Sequence, residues 1–341
     1  MTGRPLSPPA PAGRQPSAAA RFRQSAWWLW LKRAGAGVFF IGVGYLLLKQ
    51  ARAIDWHQVL SALQNYPLAA LWSAAGLAAA SYALYSCFDL LGRHYTGHTL
   101  GTRTVMLLTF VSYAFNLNLG SVVGGVAFRY RLYSRLGLGL GTITRVTSVS
   151  MLANWMGYLL LAGLVFSVQP LVLPGGWKID AAQLRLIGLG LLALALAYLG
   201  ACAFSRQRTL GLRGHAVELP SLRLAGLQMA MGAGNWLLMS GIIFILLQQR
   251  IDFFSVVSVL LLAAIAGVIT HIPGNLGVLE AIFMALLGKR IPVHDVLAAL
   301  VAYRIVYYLV PLGLAALIYL FMEARTRQSA HPGAPRRPPP P

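Results

Sequence analysis

The sequence predicts an all-α, polytopic integral membrane protein: six full spans, two broken or re-entrant helical hairpins, and an inverted repeat relating the two halves. Three observations carry that prediction. Of 341 residues, 57% are hydrophobic and only 11% are charged, against about a quarter charged in a soluble domain. The apolar residues gather into runs near the ~20-residue length that a bilayer demands. The 28 Lys and Arg lie in short clusters between those runs, against eight Asp and Glu in all, as orientation by cytoplasmic positive charge produces. A nucleic-acid binder would instead carry its net charge of +20 on one face of a folded domain. No such domain is visible, and nucleic acid is not an expected partner.

Taken in order, residues 1–33 lack any acid and are rich in Pro, Ala, Arg and Ser, which reads as a disordered basic cytoplasmic tail. Trp27, Trp28 and Trp30, beside Lys32 and Arg33, form an interfacial belt before the first span. The membrane domain then occupies 34–322, in two halves of about 34–168 and 184–322. Its full spans are 34–48, 67–91, 146–168, 184–204, 225–247 and 295–321. Ala51-Arg52-Ala53 imitates a signal-peptidase site, but a 33-residue leader is long and Lys49 interrupts the approach, so 34–48 is taken as a retained span. Residues 323–341, ending in Arg336, Arg337 and four prolines, read as a second disordered cytoplasmic tail.

Two further apolar stretches, 104–128 and 255–288, are interrupted. The first carries Asn116, Asn118, Gly120, Gly124 and Gly125; the second carries His271-Ile272-Pro273-Gly274-Asn275-Leu276-Gly277. Broken backbone at membrane depth persists only where protein buries it or where it lines a cavity. If 104–128 dips in and returns, the cytoplasmic segments hold 20 Lys and Arg and the outer segments seven, with both termini inside. Full crossing would carry Arg129, Arg131, Arg135 and Arg145 to the outer face, against the positive-inside rule. The broken elements then enter from opposite faces, which is the sequence pointer to a transporter built from inverted repeats.

Glu280 and Arg304 are the sharpest chemical signal. An ionised side chain at the bilayer centre costs at least ~2.5–3.5 kcal/mol, so such groups turn inward and pair. Glu280 lies ~12 Å from Gly288 and Arg304 ~14 Å from Asp295 along their helices. Both helices start from one face, so the two groups can meet at similar depth, either lining a substrate path or only fixing helix packing. Pro273–Gly277 suits the start of a half-helix whose free N–H groups attract a phosphate, or equally a plain interhelical turn. Arg129, Arg131 and Arg135 can hold an anionic headgroup or act as a topology signal; Arg131 and Arg135 share a helix face and Arg129 does not. Asp89 is expected to pair with Arg93 at i,i+4. Asn154 and Asn235 are candidate interhelical hydrogen bonders. His271 reads as a satisfied structural group. Cys87 and Cys202 sit in apolar runs as small hydrophobes. No catalytic constellation, phosphate loop or metal spacing is found, and no cofactor is expected.

These segments resemble a known family. Phe115-Asn116-Leu117-Asn118-Leu119-Gly120 through Gly124-Gly125-Val126-Ala127-Phe128-Arg129 resembles the first signature of the lysylphosphatidylglycerol synthase transmembrane-region family. Ile272 through Glu280 resembles its second, and Tyr303-Arg304 its last. The resemblance covers roughly 35–322 and is strongest to the family's stand-alone inner-membrane branch. It departs at Ser121 and Asn275, where Gly is often found, and in lacking an acid after Gly124-Gly125. In bifunctional members this region is thought to flip an aminoacylated phospholipid made by a separate soluble domain, for which this chain has no room. The resemblance therefore implies phospholipid translocation across a bacterial inner membrane, with anionic or aminoacylated lipid as partner and without synthase activity. Glu280, Arg304, Gly274, Asn275, Gly277, Arg129, Arg131, Arg135, Asn116 and Asn118 are the expected lipid-binding residues. The membrane part of a phosphatidylglycerol lysyltransferase and a non-catalytic scaffold are the alternatives, and a homo-oligomer is left open.

Overall fold

The computed structural model describes residues 66–120, 125–169, 180–205, 209–212, 215–218 and 220–329, with single positions at 57, 61, 64, 171 and 173. The predicted first span, 34–48, the N-terminal tail and the tryptophan belt lie outside the described residues. The helices are α1 (Leu68–Ser86), α2 (Phe88–Thr96), α3 (Thr102–Leu119), α4 (Phe128–Arg135), α5 (Leu140–Val168) and α6 (Ala181–Phe204). After a short hairpin come α7 (Leu222–Leu246), α8 (Phe253–Thr270), α9 (Val278–Leu287), α10 (Val293–Tyr303) and α11 (Val310–Ser329). A 3-10 turn, Pro273–Asn275, separates α8 from α9, and a π-helical stretch, Arg304–Leu309, joins α10 to α11.

Among the described residues six helical segments are long and apolar enough to cross a bilayer: Leu68–Thr96, Leu140–Val168, Ala181–Phe204, Leu222–Leu246, Phe253–Thr270 and Val293–Ala324. Five coincide with predicted spans. The sixth, α8, was expected only as one arm of a broken hairpin. Its 18 residues reach ~27 Å, close to the ~30 Å of the hydrocarbon core. At the other end, α11 runs to Ser329, past the predicted boundary at 322. Outside the helices, residues 209–218 hold an antiparallel pair, β1 (Thr209–Leu212) and β2 (His215–Glu218), with Thr209 opposite Glu218. The sequence reading gave this polar connection no structure.

Polar side chains cap the starts of α6, α7 and α8. Asp180 accepts from the Gln183 N–H at 2.7 Å while Gln183 Oε1 accepts from the Asp180 N–H at 3.1 Å, a reciprocal capping box. Asp252 accepts from the Ser255 N–H at 2.8 Å at the head of α8. The surface of α6 is apolar and bare: Leu186 is 67% exposed, Leu194 60% and Phe204 87%. Such a face would aggregate in water and is at home against acyl chains.

α5 packs on α6 and α7, and α7 also packs on α1 and α8. The α5–α7 crossing is made by glycine. A Cβ on Gly157 would lie 2.2 Å from the Gly232 carbonyl carbon, and one on Gly232 would lie 2.2 Å from the Ala153 oxygen. Small residues at such a crossing let backbones approach and recover dispersion energy where hydrophobic driving force between helices is absent.

Candidate functional site

The two interruptions meet. α3 packs against the Pro273–Asn275 turn, and a Cβ on Gly274 would lie 3.4 Å from the Asn118 carbonyl oxygen. The second break is a run of left-handed residues: Gly274 at φ 64°, Asn275 at φ 53° and Gly277 at φ 76°, following His271 at φ 54°. Gly takes this conformation freely, and Asn is the side-chain-bearing residue that tolerates it best. Asn275 therefore suits a backbone position that Gly would otherwise take. Its Nδ2 donates to the Ala263 carbonyl at 3.1 Å, fastening the loop to α8.

Glu280 and Arg304 come together as the sequence predicts, in a bidentate pair. Arg304 Nε donates to Glu280 Oε1 at 2.5 Å and Nη2 to Oε2 at 3.1 Å. The same guanidinium donates Nη1 to the Gly274 carbonyl at 3.0 Å and Nη2 to the Asn275 carbonyl at 3.0 Å. Glu280 Oε2 also accepts from the Gly277 N–H at 2.8 Å. Every one of these bonds ends on the break or on the pair itself. The positive end of α9, read from sequence equally as a phosphate seat or a plain turn, is thus occupied by the helix's own carboxylate. Both side chains are mostly shielded, 15% exposed for Arg304 and 18% for Glu280.

Beside this clamp lies a cavity of about 530 Å³, within the size range of small-molecule sites. Asn116, Gly120 and Gly125 of the first break line it, as do His271, Gly274 and Asn275 of the second. Aromatic side chains close it: Tyr85, Tyr113, Trp155, Tyr158, Trp236 and Tyr308. Tyr158 stands edge-on to both Trp155 and Trp236, at ring separations of 5.7 and 5.5 Å. Glu280, Arg304 and Gly277 stand behind this wall, reaching it through Gly274 and Asn275. Asn118 is also set back, its Nδ2 donating to the Ala114 carbonyl at 2.8 Å and the Tyr308 carbonyl at 3.3 Å.

The three arginines after the first break divide. Arg129 turns inward, lines the cavity, and is 2% exposed. Its Nε donates to Asp89 Oδ2 at 3.1 Å, and its guanidinium sits 5.9 Å from the Tyr85 ring centre. Asp89, fully buried, also accepts from Tyr133 OH at 2.9 Å and from Ser150 Oγ. The expected Asp89–Arg93 pair is therefore corrected: Arg93 instead donates to the Leu100 carbonyl at 3.1 Å and Thr102 Oγ1 at 3.0 Å. The fully buried carboxylate takes the buried cation rather than the half-buried one, because its desolvation is offset best by a partner that shares its low-dielectric surroundings. In the turn between α2 and α3, partial burial and the charge of Arg93 hold His98 below the ordinary histidine range, opposed by Asp89. Arg131 and Arg135 face outward. Arg135 makes a two-pronged pair with Glu323 of α11, and Arg131 lies 3.9 Å from the same carboxylate.

Sequence reasoning missed the aromatic wall, since Tyr and Trp within apolar runs look like core. It also missed a polar knot beside the cavity. Ser81 Oγ donates to Asn235 Oδ1 at 2.7 Å and lies 2.7 Å from Tyr307 OH. Tyr113 OH lies 2.9 Å from Tyr307 OH, and Tyr82 OH donates to the Tyr307 carbonyl at 3.0 Å. Asn235 is the interhelical bonder predicted. Tyr307 lies in the π-helical stretch, a feature that recurs at functional sites.

Residues 33–315 match the family description "Lysylphosphatidylglycerol synthase TM region". The chain is 46% identical over 302 residues to the inner membrane protein YbhN of Escherichia coli, covering 88% of this chain and 95% of that one. It is 31% identical over 288 residues to an uncharacterized protein of Synechocystis, covering 83% and 88%. It is 25% identical over 309 residues to a phosphatidylglycerol lysyltransferase of Staphylococcus haemolyticus, covering 85% of this chain but 34% of that protein. With its apolar helices and this kinship, the chain is a multi-pass inner membrane protein and belongs to the lysylphosphatidylglycerol synthase transmembrane-region family.

Proposed function

We propose that this protein translocates phospholipid across the bacterial inner membrane, taking the headgroup through the cavity where the two broken helices meet. The observation that carries the reading is that cavity. It is walled by aromatics, floored by irregular backbone, and set among helices whose outer faces suit lipid. Irregular backbone at such a place supplies carbonyl and N–H groups that a polar headgroup can use in place of water. The Glu280–Arg304 pair acts as the clamp that keeps the second break in its left-handed form, with Gly274 and Asn275 held at the cavity wall. The two halves are inverted repeats in this reading, and both termini face the cytoplasm, as the distribution of Lys and Arg supports. Arg131 and Arg135 meet the headgroup at the cytoplasmic mouth.

Translocation is tested in liposomes carrying fluorescent phosphatidylglycerol, with a membrane-impermeant reductant added outside. Protein-free vesicles lose about half the signal, because only the outer leaflet is reached. Vesicles holding the full chain are expected to lose nearly all of it. Loss of only the outer half would end the translocation reading. Aminoacyl transfer to the lipid from charged tRNA by the purified chain would favour the activity named for the staphylococcal relative.

A further inference from the structure

We propose that Arg129 is the phosphate-binding residue of the cavity, and that Asp89, Tyr133 and Ser150 position it. The proposal rests on the translocation reading only for the source of the phosphate; the site itself stands on its own geometry.

The buried cluster is lopsided. Asp89 is well satisfied, with three donors on its carboxylate: Oδ1 accepts from Ser150, and Oδ2 accepts from both Tyr133 and Arg129. Arg129 spends its Nε on Asp89, while its Nη2 is buried and has no hydrogen-bond partner. A carboxylate well satisfied by fixed donors is a support, not a ligand site. A guanidinium with an unbonded nitrogen keeps donor capacity for one more acceptor, and that acceptor is favoured most when it is an anion in a fork geometry. Arg129 lines the cavity, and among its described lining residues there is no Asp or Glu. An entering anion therefore meets a fixed cation there and no carboxylate on the wall. The Glu280–Arg304 pair offers no such opening, because its donors are turned onto Gly274, Asn275 and each other.

The chemistry that fits is a phosphomonoester or phosphodiester. Its oxygens match the Arg fork, and the aromatic side chains of Trp155 and Trp236 on the same cavity accept the glycerol and methylene groups attached to it. Tyr133 and Ser150 fix the carboxylate, the carboxylate fixes Nε, and the rotamer of Arg129 is set before the ligand arrives.

The test uses the full chain in detergent, with native mass spectrometry as the readout. The probes are dioleoyl phosphatidylglycerol, dioleoyl phosphatidylethanolamine and dioleoylglycerol, which has the same chains and no phosphate. The wild type is expected to bind both phospholipids roughly tenfold or more tightly than dioleoylglycerol. Arg129→Gln is expected to erase that preference while leaving dioleoylglycerol binding unchanged. Because Arg129→Gln leaves Asp89 buried without its cation, the neutral pair Asp89→Asn with Arg129→Gln is measured too, and a folded double variant is expected to lose the preference equally. Arg129→Lys, which keeps the charge without the fork, is expected to retain part of it. Competition by millimolar inorganic phosphate identifies the bare anion as sufficient; its failure, with Arg129 dependence intact, identifies the esterified headgroup. An undiminished phospholipid preference in the double variant overturns the proposal. Arg129-dependent binding without translocation would leave the site standing and remove the transport reading. Translocation with an Arg129-independent preference would do the reverse.

Discussion

Glu280→Gln separates a clamp from a decorative ion pair. The carboxylate receives three hydrogen bonds, two from Arg304 and one from the Gly277 N–H. The amide keeps one acceptor oxygen and loses the charge. Hydrogen bonds to charged groups are worth ~1.5–3 kcal/mol each, and stranding one member of a buried pair costs ~3–5 kcal/mol. Arg304 is 15% exposed and keeps two backbone carbonyls, so the loss should fall to about 2–3 kcal/mol. Arg304→Met should cost more, since it also releases the Gly274 and Asn275 carbonyls. In a double-mutant cycle with both changes, the coupling should be about 2 kcal/mol, roughly thirtyfold in the folding equilibrium. Reversible unfolding in mixed micelles by SDS titration reads it directly. Additivity to within ~0.3–0.5 kcal/mol would refute the clamp. The two groups would then be neighbours that do not hold the break.

Two further outcomes follow from packing and hydrogen bonding. Gly232→Ala should destabilise by about 1–3 kcal/mol or more, because its Cβ would meet the Ala153 oxygen at 2.2 Å and backbone cannot step aside. Gly190→Ala, with nothing within 4 Å of its Cβ, should be neutral or gain up to ~1 kcal/mol from helix propensity; SDS unfolding of both checks the contrast. Tyr307→Phe removes the hydroxyl shared by Ser81 and Tyr113 but leaves the Tyr82 bond to the backbone. It should cost about 1–2 kcal/mol in the same titration.

The parts of the fold that periodicity and cost determine were legible. Span lengths follow from bilayer thickness, so α1, α5, α6, α7 and the α10–α11 segment lie where the apolar runs lie. Gly-rich and Pro-Gly interruptions announced both breaks. The meeting of Glu280 and Arg304 followed from their similar distances along two helices read as starting from one face. The partner of Asp89 was not legible, because Arg129 is 40 residues away and only the packing of α2 against α5, and of α4 beside them, sets that contact. Nor was the cavity wall. A tyrosine facing a void and a tyrosine facing a leucine have the same sequence signature, and Tyr85, Trp155 and Trp236 lie in runs that periodicity assigns to core. The division of labour among the ten expected site residues needed three dimensions: Arg129, Asn116, Gly274 and Asn275 on the cavity, Glu280, Arg304, Gly277 and Asn118 behind it, and Arg131 and Arg135 at Glu323.

The most direct measurement of the cavity's role is the translocation rate of fluorescent phosphatidylglycerol by Asn154→Trp in liposomes. Asn154 lines the cavity beside Trp155, and an indole there fills the headgroup's space. The rate should fall roughly tenfold or more while SDS unfolding stays at the wild-type midpoint. An unchanged rate in a folded variant would place the lipid's route elsewhere and contradict the account.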